Sequence, residues 1–322
     1  GASGSGTTWS DDGYGNITSG TISQEYGIYY GKAKLISSQT VVDGKDMDGS
    51  TTHSDMVVTY SYTKEGKLIG ASASGTTSSN DGFGNITSGT ITQEYEIYYG
   101  KAKLVSSHTV VDGRDVDGTT THSDMVMRYS YTKEGKLIGA SASGTTSSDD
   151  GYGNKTSGTI TQEYEIYYNK AKLVSSHTVV DGRDVDGTTT HSDMVVTYNY
   201  TSEGKLTGAS ASGTTTSDDG YGNKTSGTIE QGYEMYCGKA KIASSHTVVD
   251  EIDVDGSTMH SDMVMTYSYT KEGKLIGASA SGTTSSDDGY GNKTSGTVNQ
   301  EYEIYYGKTK IVSSHTVVDG SD

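Results

Sequence analysis

Carboxylate side chains recur at short, regular spacing ahead of a glycine in this chain. In the segment DGRDVDG, Asp181, Asp184 and Asp186 precede Gly187. Calcium takes several converging oxygen ligands where the backbone turns sharply, so this spacing indicates a candidate calcium loop, without the terminal Glu of an EF-hand. Asp and Gly are equally typical of a solvated hairpin turn. The candidate calcium ligands are Asp43, Asp46, Asp48, Asp112, Asp115, Asp117, Asp181, Asp184, Asp186, Asp250, Asp253 and Asp255.

A second acidic segment, DDGYGN, runs from Asp149 to Asn154. Two adjacent carboxylates and an amide oxygen are hard ligands that could also hold a cation. Asn80 replaces the first Asp in one copy of the segment, which favours the alternative reading as a turn. The last residue of the segment, Asn154, begins an Asn-x-Thr sequence with Thr156, the acceptor pattern for N-glycosylation, and every copy has the same pattern.

Histidines flank the acidic segment in pairs. His177 and His191 lie at equal distance from Asp184, so in a regular hairpin centred there they would lie opposite each other. With Asp193 nearby, two imidazoles are candidate zinc or copper ligands. The alternative is a structural pair facing solvent, and Gln39 stands in place of the first His in one copy.

No arrangement typical of catalysis accompanies these residues. The sequence has no nucleophile elbow, no phosphate loop and no Cys/His pair, so we predict that the protein is not an enzyme. The single cysteine, Cys237, occupies a position that is Tyr30, Tyr99, Tyr168 or Tyr306 elsewhere, which indicates substitutional drift.

All these motifs repeat because the chain is one unit of 69 residues written four times and begun a fifth time. The second and third copies are identical at 60 of 69 positions. A period of this length is typical of a repeat architecture, in which each unit contacts mainly its neighbours. The predicted repeats are 1–69, 70–138, 139–207, 208–276 and the partial copy 277–322.

Each repeat predicts four β-strands. Apolar and polar residues alternate in TITQEYEIYY (159–168), the pattern of a half-buried strand. A tight turn follows at Asn169-Lys170, then strands at 171–180, 188–200 and 206–217, the last made of small residues that would let another backbone approach. We therefore predict an all-β fold of four-stranded antiparallel sheets, stacked as an open superhelical or fibrous array.

A closed ring is the alternative assembly. Four antiparallel strands per repeat resemble the blade of a β-propeller. The fifth copy, however, lacks the THSDMVVTYSY strand, and the first residues supply a different one. Closure would therefore fail by one strand, whereas an unfinished sheet edge is a template for adding a strand from a neighbour.

The composition and charge of the chain exclude some classes of binding partner. The net charge of −17 argues against binding to nucleic acid or to an anionic membrane surface. No stretch of 18 apolar residues occurs, so we predict no membrane insertion. Only 31% of residues are hydrophobic, and all 26 tyrosines fall in six columns of the repeat, which suits a thin sheet with little interior.

The segment TYSYTKEGKLIGAS (59–72) resembles the tyrosine-and-glycine repeats of large secreted bacterial surface and toxin-delivery proteins. The resemblance covers about 14 residues of each copy, and the period of 69 differs from the roughly 20 of that family. The broader pattern of long β-repeats rich in Thr, Ser, Gly and Asp is similar to bacterial adhesins. The resemblance implies a bacterial, extracellular or cell-surface location.

Two functions follow as hypotheses. The first is a structural β-repeat protein that belongs to a filament or adhesin stalk and associates with itself, with Ca²⁺ as its candidate cofactor. The second is a closed five-bladed propeller that acts as a lectin-like module, with the Tyr152 ring stacking on a glycan.

Overall fold

The computed structural model describes residues 1–305 and 307–321, which form nineteen β-strands and no helix. The strands of each unit described below form an antiparallel sheet. Tyr306 and the last residue of the fifth copy, Asp322, lie outside the described residues. The strands are β1 (Ala2–Asp11), β2 (Ile17–Tyr29), β3 (Lys32–Lys45), β4 (Thr51–Tyr62), β5 (Leu68–Asn80), β6 (Ile86–Tyr98), β7 (Lys101–Arg114), β8 (Thr120–Tyr131), β9 (Leu137–Asp149), β10 (Lys155–Tyr167), β11 (Lys170–Arg183), β12 (Thr189–Tyr200), β13 (Leu206–Asp218), β14 (Lys224–Tyr236), β15 (Lys239–Ile252), β16 (Thr258–Tyr269), β17 (Leu275–Asp287), β18 (Lys293–Tyr305) and β19 (Lys308–Ser321).

The chain divides into two compact units, residues 1–159 with 169–171 and residues 160–168 with 172–322. In the first unit, β1 to β9 pair in chain order. In the second unit, β11 to β19 do the same. The ladder crosses the repeat boundary inside each unit, for example from β4 to β5. The prediction of all-β tandem repeats is confirmed, but a grouping into separate four-stranded sheets is not.

The two faces of the sheet differ in chemistry. Side chains alternate along a strand, and directly paired residues share a face. The register places Ile91, Tyr95 and Met125 on one side, which we call the apolar face. Glu94 and His108 lie on the other side, which we call the charged face. The equivalent positions of the repeat lie on the same two faces in the second unit.

No second layer covers either face within a unit. The chain exposes 19544 Å², whereas a compact protein of its mass of 33.9 kDa would expose about 12,800 Å². The buried hydrophobic residues described are all small, namely Ala73, Ala142, Ala209, Ala211 and Ala280. Stability therefore comes from the ladder and from packing between side chains of neighbouring strands on one face.

The small-residue strand makes that lateral packing possible. Ala73 of β5 lies between Val58 and Gln93 on the apolar face and is only 3% exposed. A side chain at Gly75 would collide with the sulfur of Met56 and with a backbone carbonyl of β4. Inside the sheet, the small residues of this strand make room for the Met56 side chain and the backbone of the neighbouring strand.

Two hairpin turns at one edge explain part of the tyrosine pattern. Tyr30 and Gly31 both have positive φ, 48° and 74°, and Tyr29 pairs with Lys32. The prediction placed this turn at Asn169-Lys170, which corresponds to Gly31-Lys32 in the first copy. The observed turn lies one residue earlier, so it holds the bulky Tyr30 in a conformation that favours Gly or Asn. At the next turn, Tyr62 donates its hydroxyl to the carbonyl of Leu35 at 2.8 Å.

Candidate functional site on the charged face

The acidic segment is divided between a strand and a turn. Asp181 belongs to β11 and lies directly opposite His191 of β12 on the charged face. Its Oδ1 is 2.7 Å from the Nδ1 of that imidazole. The three predicted ligands of each loop therefore do not form one turn, because the first carboxylate of each set is paired with a histidine. The equivalent pairs are Asp43–His53, Asp112–His122 and Asp250–His260.

The second histidine of each repeat makes a separate pair. His177 lies opposite Val195, and its Nε2 is 2.8 Å from Oδ1 of Asp193 on the diagonal. The prediction that His177 and His191 lie opposite each other was wrong. In the first copy, Gln39 donates to both carboxylate oxygens of Asp55 at 2.9 Å, so an amide replaces the imidazole in the same cross-strand bond.

The described His, Cys, Asp and Glu side chains include no group of three or more placed to hold a metal ion. The seven histidine side chains that pair with a carboxylate are 40–45% exposed, and exposed ion pairs contribute little to stability. In the turn itself, the N–H of Thr188 donates to Asp186 at 2.9 Å and lowers the pKa of that carboxyl. Calcium binding by the twelve Asp residues stays a prediction, and a calcium titration tests it.

The DDGYGN segment forms a turn built around one carboxylate. The N–H of Phe83 donates to Asp81 at 2.8 Å, and this bond is the largest cause that lowers the pKa of Asp81. The backbone and side-chain amides of Asn85 also donate to it, at 3.1 and 2.5 Å. These bonds use the oxygens that a cation would need, which supports the turn reading.

The asparagine of this turn also joins the neighbouring turn of the same edge. Its carbonyl oxygen, Oδ1 of Asn85, accepts the N–H of Val116 at 2.9 Å. Met47 and Val254 donate in the same way to Asn16 and Asn223. Because both ends of the Asn85 amide are bonded, the fold opposes its use as a glycosylation acceptor. Sequence reasoning missed this link; its only signal is the constant spacing of 31 residues.

Open depressions repeat on the charged face of the second unit. One of about 620 Å³ is lined by Asp181, His191, Lys224 and Asp250 over the hydroxyls of neighbouring strands. The equivalent depression one repeat later measures about 690 Å³. Lys224 lies 3.2 Å from Asp218 at its end. Such a surface can exchange hydrogen bonds with a polyol, but the lining of the first depression contains no Tyr, Phe or Trp ring.

The aromatic column proposed to stack on a sugar lies at the turn tips and not in these depressions. Tyr152 is 73% exposed, and its equivalents are exposed to a similar degree. They are Tyr14, Phe83, Tyr221 and Tyr290.

No protein-family model matches this chain, and no curated protein is similar to it. None of the described residues forms a helix that could span a membrane.

Proposed function

We propose that this chain is a structural β-repeat protein, part of an extracellular or cell-surface filament or adhesin stalk that associates with itself. In this proposal each repeat is a spacer that adds a fixed length. The observation that carries it is the uninterrupted ladder inside each unit, whose register recurs from one copy to the next.

The length added by each repeat follows from strand spacing. Antiparallel strands lie about 4.8 Å apart, so four strands add about 19 Å. The cross-strand polar bonds recur from one repeat to the next, with Gln39 in place of a histidine in the first copy, so they are not gathered at one place. The same continuity favours an open array over a closed five-bladed ring, whose blades would be separate sheets.

Chains that differ by whole repeats test the proposal. We would delete residues 139–207, or duplicate them, and measure the maximum dimension by small-angle X-ray scattering. The expected change is about 19 Å for each repeat. A radius of gyration that grows only as about the 0.38 power of chain length, as in compact proteins, would contradict the spacer function.

A second candidate is a glycan-binding module with one equivalent site in each repeat. The hydroxyl-lined depressions of the charged face favour it. Binding of neutral oligosaccharides that is lost when His191 and His260 are both replaced by Ala, measured by calorimetry, would support it; retention of binding would place the sugar elsewhere.

A further inference from the structure

The apolar face is almost free of charge in both units. Among its paired strand positions the one charged residue is Glu251, at the end of β15. The other acidic and basic residues of the paired strands project from the charged face, as Glu94 and Asp124 do. In a chain with a net charge of −17, this segregation leaves one face with almost no repulsion against a copy of itself.

One tyrosine hydroxyl in each copy of this face is already bonded inside the chain. The hydroxyl of Tyr95 donates to Oε1 of Gln93 at 2.9 Å, and the same bond recurs at 2.8–3.0 Å in the other copies. Covering the face would therefore leave these phenols satisfied, which removes the main cost of burying tyrosine.

The face is also large enough to hold a partner. Four strands of 12 to 14 residues give about 820 Å² of face for each repeat, from strand spacing and rise. A stable complex buries about 800 Å² on each partner. One repeat therefore offers the area of a standard interface, and each unit contains more than one repeat.

We propose that a second copy of this chain packs on the apolar face, so that two sheets form a β-sandwich with their charged faces outward. Two apolar sheet faces pack about 10 Å apart with interdigitating side chains. A second copy fits because it presents the same uncharged face, whereas two charged faces would repel each other. The inference goes beyond the proposed spacer function, since it concerns what covers the sheet and not its length.

Adding negative charge to one face or to the other face of the same strands tests whether a second copy packs on the apolar face. The triple variant Gln24→Glu, Gln93→Glu, Gln162→Glu puts carboxylates on the apolar face and keeps an acceptor for each tyrosine hydroxyl. The matched control, Ser23→Glu, Thr92→Glu, Thr161→Glu, adds the same charge one residue away on the charged face. The fold accepts that change, because the fourth copy carries Glu230 in this column.

Sedimentation equilibrium of the full chain and both variants gives the answer. We expect a wild-type mass of twice 33.9 kDa, an unchanged control, and a Kd on the order of 100-fold weaker in the Gln→Glu variant, because unpaired carboxylates would be buried. Far-ultraviolet circular dichroism confirms that both variants fold.

Three results would overturn the proposal. A wild-type monomer up to about 1 mM would show that no second copy covers the face. Equal weakening of both variants would assign the effect to net charge. Association that survives in both would indicate pairing at strand edges. A wild-type monomer would also count against self-association in the proposed function, whereas the length added by each repeat is measured separately by the scattering test.

Discussion

Replacing Gly144 by Ala tests whether lateral packing on the apolar face stabilises the sheet. A Cβ at this position of β9 would collide with the sulfur of Met125 and with the carbonyl oxygen of Asp124. The matched control is Gly139→Ala in the same strand, where a Cβ would find Ser130 at an ordinary 3.7 Å. Neither glycine has a positive φ, so alanine is acceptable to the backbone at both positions.

The two substitutions should have opposite signs. Overpacking costs about 1–3 kcal/mol, and contact with a ladder carbonyl places Gly144→Ala near the upper end because the backbone cannot rotate away. Replacing a permissive glycine stabilises by about 0.4–1 kcal/mol, since it restricts the unfolded chain. We therefore expect the two variants to differ by about 3 kcal/mol.

Amide hydrogen exchange is the appropriate assay, because a repeat protein need not unfold in one step. Exchange should accelerate on β8 and β9 in Gly144→Ala and stay the same or slow in Gly139→Ala. Equal protection in the two variants would refute the reasoning, since it would show that Met125 moves away at no cost and that its packing over glycine contributes nothing.

Three further predictions concern the turns and the tyrosines. Asn85→Ala should remove the tie to the neighbouring turn and speed exchange of the Val116 amide, at a cost of about 1 kcal/mol. Tyr62→Phe should cost a similar amount by thermal unfolding, whereas Tyr30→Phe, at a ring that is 78% exposed, should cost nothing measurable. Turn carboxylates such as Asp81 have a pKa below the ordinary 3.8 in the folded protein, so their contribution to stability is complete above pH 3.8. This contribution should be lost as the pH falls through the lowered pKa. An unfolding free energy that stays constant during an acid titration below pH 3.8 would contradict the prediction.

Much of the local structure could be predicted from the sequence. Strands alternate visibly because side-chain direction has a period of two, and a turn glycine such as Gly31 reveals positive φ through the Gly or Asn found in its column. The sequence could not distinguish a continuous sheet from a stack of separate sheets. A strand of Gly, Ala and Ser leaves space that either a nearby backbone or the large side chains of neighbouring strands can fill. Only the register shows that Met56 lies over Gly75.

The predicted pairing of the histidines was wrong because the register of the hairpin differs from the one assumed. Centring the hairpin on Asp184 places His177 opposite His191, but Arg183 pairs with Thr189, so the centre is Asp186. Moving the centre of a hairpin by two residues moves each partner by four. The reason lies in the turn. The N–H of Gly187 donates to the backbone carbonyl of Asp184, and Gly187 has a φ of 96°. The predicted pairing of the two histidines was therefore wrong, and each imidazole lies beside a carboxylate instead.

The separation of charge between the two faces is not explained by the ladder. Backbone pairing is indifferent to which side chain points which way, and a sheet wetted on both faces would be as well solvated with its charges on both. Among the paired strand positions that the structure describes, Glu251 is the one charge on the apolar face, and the hydroxyl of Tyr95 donates to Gln93. A dry partner explains both features at once, and a second copy supplies one without any further protein. On this argument the ladder sets the length of the assembly and the apolar face sets its thickness.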